Sequence, residues 1–210
     1  MTDAAPSLLA FAATCVIIEI TPGPNMAWLA ALSLSRGWPT GLAALAGVAF
    51  GLSVYGIAAA LGVAAVIENS PVLYQALRWV GVAYLLWLAW DAWSTADEVA
   101  GSDIADGHHH RASAFRRGLI TNLLNPKAAV FYVAMLPEFV NVSAGDVVTQ
   151  TLTLSAIYVA TATAIHALIV MLASSVRGLV ARSGQIKTVR RLLALALVGV
   201  AIWLAWATAA

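Results

Sequence analysis

Charged residues are scarce in this sequence. Only 10% of the 210 residues are Asp, Glu, Lys or Arg, whereas 61% are hydrophobic, and the mean hydropathy is +0.86. A soluble domain averages about 45–50% apolar and about 25% charged residues. The composition therefore excludes an ordinary water-soluble domain and indicates a lipid bilayer as the solvent. With a net charge of +1 and basic residues scattered among loops, no basic patch for nucleic acid is expected either.

Cysteine is almost absent as well. The one cysteine, Cys15, excludes an internal disulfide and every metal or redox site built from paired thiols. Because it lies in an apolar run, we expect a small buried or lipid-facing side chain. The N-terminus has Asp3 and lacks the early Lys or Arg of a secretory signal, so we expect its apolar segment to remain as a transmembrane helix.

Apolar runs long enough to cross a bilayer occur six times, given that a spanning helix needs about 20 such residues. They cover approximately 7–34, 41–67, 72–95, 115–138, 147–174 and 190–208. The sequence predicts an all-α integral membrane protein with six transmembrane helices. A polar loop at 96–114 would divide a first three-helix half, 1–95, from a second, 115–210.

Basic residues are distributed unevenly among the predicted loops. Nine of the 11 Lys and Arg residues fall after the first, third and fifth helices. The positive-inside rule places those loops in the cytoplasm. We therefore expect a cytoplasmic (inner) membrane protein with both termini outside, since the opposite orientation would export nearly every positive loop.

Two of the predicted helices are interrupted by proline. The first contains Glu19-Ile20-Thr21-Pro22-Gly23-Pro24-Asn25, and the fourth contains Asn122-Leu123-Leu124-Asn125-Pro126-Lys127. In lipid, the backbone groups that proline frees are tolerated only where protein or a wet cavity satisfies them. Both breaks lie roughly 18 Å into their helices, counted from opposite faces of the membrane, near the midplane. This arrangement is typical of a transporter built as an inverted repeat of three plus three helices.

Each break also begins a new half-helix. Pro24 suits the first turn of a helix, and Asn125 followed by Pro126 is a favoured start. The free N–H groups and partial positive charge of a helix N-terminus favour an anion, such as a substrate carboxylate. The predicted substrate-binding residues are Glu19, Thr21, Pro22, Gly23, Pro24, Asn25, Asn122, Asn125, Pro126 and Lys127.

Glu19 and Lys127 are ionisable residues inside apolar segments, where a charge costs about 2.5–3.5 kcal/mol. The two could simply pair, or Lys127 could reach toward the cytoplasm. Alternatively, Glu19 takes up a proton or receives a substrate ammonium group, while Lys127 binds a carboxylate or a carbonyl of a break. His166, in the fifth helix, has two equally supported interpretations: a role in the site, or a hydrogen bond between helices.

Two glycines one turn apart, Gly47 and Gly51, form a small-xxx-small pattern in the second helix. Such glycines let membrane helices approach closely. We expect them to serve packing within the protomer rather than a dimer contact, although a homo-oligomer stays possible.

Four short motifs occur in order along nearly the whole chain. They are Thr21-Pro22-Gly23-Pro24-Asn25, Gly81-Val82-Ala83-Tyr84-Leu85, Asn125-Pro126-Lys127 and Met135-Leu136-Pro137-Glu138-Phe139-Val140. Together they resemble the LysE/RhtB family of amino-acid exporters. The resemblance implies a six-helix inner-membrane carrier, driven by the proton gradient, that expels amino acids or their derivatives. Asp91 departs from a commonly basic position, and the resemblance does not extend to Glu19, so no member's substrate is carried over.

The expected partners are an amino acid, membrane lipid and a proton or other coupling ion, with no cofactor and no nucleic acid. A Gly- and Ala-rich wall suggests a small neutral amino acid. The alternative is efflux of a divalent metal, because relatives in the wider superfamily often have His-rich loops where this chain has His108, His109 and His110. An enzyme is not expected, since no paired nucleophile and base and no His-Glu-x-x-His motif occurs.

Overall fold

A computed structural model of the protein describes residues 8–62, 71–94, 107–182 and 186–207. Within these ranges the chain forms helices and no strand. The α-helices are α1 (Leu8–Ile20), α2 (Pro24–Arg36), α3 (Trp38–Ala60), α4 (Pro71–Ser94), α5 (Gly107–Leu123), α6 (Pro126–Val130), α7 (Val147–Arg182) and α8 (Ile186–Ala207). A π-helical turn, Phe131–Met135, continues α6, and two 3₁₀ turns, Pro137–Phe139 and Val142–Ala144, lead to α7. The all-helical prediction is confirmed for this part of the chain.

Two helices are individually long and apolar enough to cross a membrane: α3 and the Val147–Gly178 part of α7. Each of two bent pairs has the length and composition of one further span. The pairs are α1 with α2, and Arg111–Leu123 with Pro126–Phe139. The described residues thus contain two spans, or up to four with the bent pairs, and the count of six stays a prediction.

Both proline breaks are present where the sequence places them. The axis turns by 59° between α1 and α2, and by 50° between the Arg111–Leu123 and Pro126–Phe139 segments. Gly23 stands in extended backbone geometry before α2, and Asn125 does the same before α6. Each break therefore ends one helix and starts another.

Two helix boundaries differ from the predicted ones. α5 begins at Gly107, so the last part of the predicted 96–114 loop is helical, and α7 continues to Arg182 instead of ending near 174. Hydropathy marks where a segment leaves lipid, whereas a helix continues until its backbone is interrupted, and neither stretch contains proline. The remainder of the loop, 95–106, lies outside the described residues.

The closest helix contact is between α3 and α5. A Cβ on Gly47 would lie 2.0 Å from the carbonyl oxygen of Phe115, and a Cβ on Gly118 would lie 2.1 Å from that of Ala44. The two glycines thus let the two backbones touch reciprocally. Gly51 similarly faces the Asn122 side chain, so both glycines of the predicted pattern pack within the protomer.

Helix α7 is central to the packing around the breaks. It packs against α1, α2 and α3, while α8 packs against α4 and α2. Stacked aromatic rings join α7 to the π-helical turn, because Phe131 and Tyr158 have centroids 3.5 Å apart. Phe11 of α1 packs on Phe131 with centroids 6.0 Å apart, and Cys15, one turn further along α1, is fully buried.

The start of α7 is fixed by Asp146. Its Oδ1 accepts a hydrogen bond from the backbone N–H of Thr149 at 3.1 Å, as an N-cap does. Hydrogen bonds from the Thr149 side chain and backbone hold the pKa of the exposed Asp146 carboxyl below its usual value.

Substitution of Gly47 by Ala tests the backbone contact between α3 and α5. The added methyl cannot fit against a carbonyl oxygen and a backbone nitrogen at 2.0 and 2.8 Å, so the helices must separate. Overpacking of this kind costs about 1–3 kcal/mol. We expect a melting temperature several degrees lower in detergent, measured by fluorescence-detected size exclusion after heating.

Gly178→Ala and Gly199→Ala are the matched controls, because nothing lies within 4 Å of the Cβ position at either glycine. They should leave the melting temperature unchanged or slightly higher, since Ala favours helix by about 0.5–1 kcal/mol over Gly. Equal melting temperatures for Gly47→Ala and the controls would show that the α3–α5 contact does not limit stability.

Candidate functional site

The two helix breaks contact each other. Lys127, at the start of α6, donates a hydrogen bond from Nζ to the carbonyl oxygen of Thr21 at 2.9 Å. Its side chain also covers Gly23, whose Cβ position lies 3.2 Å from Lys127 Cδ. Lys127 therefore binds the carbonyl of Thr21, just after α1, and lies over Gly23, just before α2.

Each break presents a helix N-terminus to this region. Asn125 caps α6, because its Oδ1 accepts a hydrogen bond from the backbone N–H of Lys127 at 3.0 Å, and Pro126 occupies the next position. Gly23 has no side chain with which to cap α2. The first N–H groups of α2 thus receive no hydrogen bond from the N-cap side chain and remain suited to an anionic group.

Glu19 lies at the end of α1 and is 4% exposed. Tyr158 of α7 donates a hydrogen bond to its Oε1 at 2.7 Å. The other oxygen, Oε2, lies 3.8 Å from Lys127 Nζ and 3.3 Å from His166 Nε2. Lys127 therefore binds a carbonyl of the first break and lies beside Glu19 at the same time. Pairing with Glu19 and binding a break carbonyl, which the sequence presented as alternatives, occur together in this structure.

His166 is 1% exposed. Its 3.3 Å contact with Glu19 lacks hydrogen-bond geometry, and neither ring nitrogen has a hydrogen-bond partner among the described residues. Among the described residues, His166 therefore makes no helix–helix hydrogen bond, although its Nε2 lies beside the Glu19 carboxylate of α1. The ring instead faces the cavity next to the Glu19 carboxylate.

A cavity lies between these groups. It is lined by Glu19, Gly23, Asn25, Met26, Asn125, Lys127, Ala128, Tyr158 and His166. The space is narrow and leaves room for about one water molecule. The arrangement is a small polar pocket, with one carboxylate and one ammonium group, between two half-helices.

Five of the ten predicted site residues line this cavity, and they come from both breaks: Glu19, Gly23, Asn25, Asn125 and Lys127. Thr21 contributes its carbonyl oxygen through Lys127. The buried prolines, Pro24 and Pro126, start the half-helices and do not line the cavity, whereas Pro22 is exposed.

Asn122 does not line the cavity. It is fully buried against Gly51 of α3, and its side-chain oxygen and nitrogen have no hydrogen-bond partner among the described residues. Its backbone carbonyl accepts a hydrogen bond from the Asn125 N–H at 2.9 Å, so Asn122 shapes the turn before α6.

Three lining residues were not predicted: Met26, Ala128 and Tyr158. Tyr158 had a detectable signal. Thr151, Ser155, Tyr158 and His166 are buried polar residues of α7 separated by four, three and eight positions, which places them along one side of a helix. Met26 and Ala128 are ordinary apolar residues, and their sequence positions gave no such signal.

The described residues contain no group of three or more His, Cys, Asp or Glu side chains that could hold a metal ion. The run His108, His109 and His110 begins α5, and its side chains lie outside what the structure describes. The metal alternative therefore gains no ligand set from the described part of the molecule.

Comparison with known proteins shows the family of the chain. The pattern of the LysE type translocator family matches residues 16–208. The chain belongs to this family. With the apolar helices of the described residues, membership identifies a multi-pass membrane protein, and the resemblance noted in the sequence is confirmed.

Individual relatives match over part of the chain. It is 35% identical to a leucine efflux protein of Enterobacter sp. (strain 638) over 66% of this chain and 65% of the relative. It is 28% identical to a homoserine/homoserine lactone efflux protein of Salmonella typhi, over 62% and 63%. An uncharacterized membrane protein of Vibrio cholerae is 30% identical over 63% and 64%. The chain thus spans less than two thirds of the length of these relatives. No solved structure matches it.

A double-mutant cycle between Tyr158 and Glu19 tests the 2.7 Å contact at the centre of the site. Tyr158→Phe removes only the hydroxyl, and a hydrogen bond to a charged group contributes about 1.5–3 kcal/mol. We expect a lower melting temperature for Tyr158→Phe in the wild-type protein and a much smaller decrease in a Glu19→Met background. Purified protein in detergent, heated in steps, gives the four melting temperatures.

The cycle isolates the pair because Glu19→Met removes both carboxylate oxygens at similar side-chain length. Additive losses in the double variant would mean that the hydroxyl and the carboxylate do not stabilise each other.

Proposed function

We propose that this protein is a secondary transporter that exports a small neutral amino acid, or a derivative of one, from the cytoplasm in exchange for protons. The names of two relatives, which describe efflux of leucine and of homoserine and its lactone, support the substrate class. The observation that carries the proposal is the pair formed by the buried Glu19 and the half-buried Lys127 between two helix N-termini.

The pair is complementary to a zwitterion. The carboxylate of an amino acid would bind Lys127 and the free N–H groups at the start of α2, where partial positive charge is concentrated. Its ammonium group would bind Glu19. Because the two protein charges are 3.8 Å apart, a zwitterion inserted between them exchanges one ion pair for two.

Proton coupling depends on the same carboxylate. A protonated Glu19 is neutral and has no charge to offer an ammonium group, so proton and substrate exclude each other at this residue. If the site opens alternately to the two sides, each proton that enters must leave before the next substrate binds. Export is then driven by the inward proton gradient.

The membrane arrangement belongs to the same proposal: six spans, an inverted repeat of three plus three helices, and both termini outside. The two similar bends, 59° and 50°, occupy corresponding helices of the two halves and support the repeat. α4 and α8 have 24 and 22 residues, and at about 1.5 Å per residue each is long enough to cross a core of roughly 30 Å.

The pocket walls favour a small side chain. Met26 and Ala128 supply apolar surface beside the charged pair, and the described lining offers no further charge for a basic or acidic side chain. The cavity must widen to admit an amino acid. Met26 is suited to this change because its unbranched side chain adopts several rotamers.

Expression in an amino-acid-sensitive bacterial host tests export directly. We expect the intracellular pool of at least one small neutral amino acid to fall several-fold and resistance to its toxic analogues to rise. Lys127→Met should abolish both effects, because it removes the cation that would bind the substrate carboxylate. Thr153→Ala, at an exposed position of α7, is the matched control and should behave as wild type.

Unchanged pools across the whole amino-acid panel would contradict export. If expression instead raised tolerance to a divalent metal, and replacing His108, His109 and His110 by Gln removed that tolerance, the metal alternative would take its place.

Glu19→Gln tests proton coupling. The amide has the size of the carboxyl group but can neither bind a transported proton nor carry charge. In proteoliposomes with an imposed pH gradient, we expect wild-type protein to accumulate labelled amino acid and the variant to lose accumulation while retaining slower exchange of labelled for unlabelled substrate.

The control is Glu138→Gln, which changes an exposed carboxylate in the 3₁₀ turn after α6. It should accumulate substrate as wild type does. Full accumulation by Glu19→Gln would exclude Glu19 as the coupling group, whatever substrate the protein carries.

A further inference from the structure

We infer that His166 receives the transported proton from Glu19 and passes it toward the cytoplasm. This inference rests on the proposed function, including its proton coupling and its orientation in the membrane. It assigns a role to a buried titratable side chain that lies beside Glu19 and makes no hydrogen bond among the described residues.

The position of the imidazole ring suits this role. Nε2 of His166 lies 3.3 Å from Oε2 of Glu19, which is close enough for direct proton transfer after a small rotation. Both ring nitrogens lack hydrogen-bond partners in the described part of the protein, although the ring is 1% exposed and lines the cavity. A buried imidazole with no partner is costly unless another state of the protein uses it.

The order of groups along α7 gives the transfer a direction. Tyr158 binds one oxygen of Glu19, and His166 lies beside the other. His166 is eight residues, about 12 Å, nearer the cytoplasmic end of α7 in the proposed orientation. Tyr158 therefore lies on the outer side of the carboxylate and His166 on the inner side.

Polar groups continue beyond His166 at the interface between α2 and α7. Val170, one turn further along α7, and Ser33 of α2 both lie against Gly41 of α3. A Cβ on Gly41 would be 2.7 Å from a Val170 methyl group and 2.3 Å from the Ser33 hydroxyl oxygen. The Ser33 hydroxyl is fully buried and has no hydrogen-bond partner among the described residues. Nearer the cytoplasmic end, Arg177 lies against Gly37 at the end of α2, 3.4 Å from its Cβ position. The interface thus contains two polar side chains, Ser33 and Arg177, nearer the cytoplasmic end than His166 in the proposed orientation.

The ionisable groups around His166 come from three helices. α1 contributes Glu19, α6 contributes Lys127, and α7 itself contributes Tyr158. From α2, the cavity receives Asn25 and Met26, neither of which ionises. Lys127 opposes a second positive charge and Glu19 favours one, so a protonated ring is stabilised only while Glu19 is a carboxylate.

The transfer is a single proton movement. The Oε2–H bond of protonated Glu19 breaks and an Nε2–H bond forms on His166, which leaves a carboxylate and an imidazolium. When the site opens to the cytoplasm, the imidazolium releases one proton to water and returns to the neutral ring. Glu19, which is again a carboxylate, is then free to bind the ammonium group of the next substrate.

His166→Gln is the first test, in proteoliposomes that contain a trapped pH indicator. We expect proton movement coupled to amino-acid transport to fall roughly 100-fold, the scale of a lost proton-transfer group. Exchange of labelled for unlabelled amino acid, which needs no net proton transfer, should fall far less than coupled proton movement does. Thr153→Ala on the same helix should leave both measurements unchanged.

A second test uses the wild-type ring and does not depend on a His166 variant folding. With His108, His109 and His110 replaced by Gln, one imidazole remains, and its ¹⁵N resonances report its protonation. We expect the ring to become doubly protonated as the pH of the sample is lowered. We also expect the midpoint to move when Glu19 is changed to Gln.

The outcomes separate the two proposals. Coupled proton movement that is equal in His166→Gln and wild type would overturn the role of His166 and leave the coupling by Glu19 intact. Net amino-acid transport by the wild-type protein without any proton movement would overturn the coupling and, with it, this inference. An imidazole that stays neutral throughout the pH range, with and without amino acid, would overturn the role of His166 even if the substitution variant is inactive.

Discussion

One lysine determines how the two halves of the site meet. Lys127 starts α6, donates its ammonium group to the carbonyl of Thr21 at the end of α1, and lies 3.8 Å from Glu19. Without it, the carbonyl at the first break would lack that donor and the buried carboxylate would lack a counter-charge, both costly in an apolar surrounding. The pocket, its polarity and its position between the half-helices all depend on this side chain.

The sequence predicted the parts of this arrangement that depend on backbone chemistry. Proline removes a helical donor wherever it stands, so the breaks at Pro22–Pro24 and at Pro126 could be located. The ionisable residues Glu19 and Lys127 inside apolar segments indicated a polar site, although simple pairing was an open alternative. Asn125 was identified as a cap because short amide side chains accept hydrogen bonds from helix N-termini.

Other features depend on tertiary contacts that one sequence does not contain. Asn122 belongs to the same motif as Asn125, yet the approach of Gly51 turns it toward α3 and away from the cavity. Tyr158 and His166 reach Glu19 only because α7 packs against α1 and α2. The beginning of α5 at Gly107 and the end of α7 at Arg182 were missed because helices extend beyond their apolar stretches.

The glycine contact between α3 and α5 has a mechanical consequence. α3 belongs to the first half of the chain and α5 to the second, and their backbones touch at Gly47 and Gly118 with no side chain between them. This contact restricts relative motion of the two helices, because sliding or tilting either helix would bring backbone carbonyl groups into steric conflict. A rigid-body rotation of one whole half against the other is therefore disfavoured. Conformational change is instead expected in short helices next to the proline breaks, such as α1 and α6.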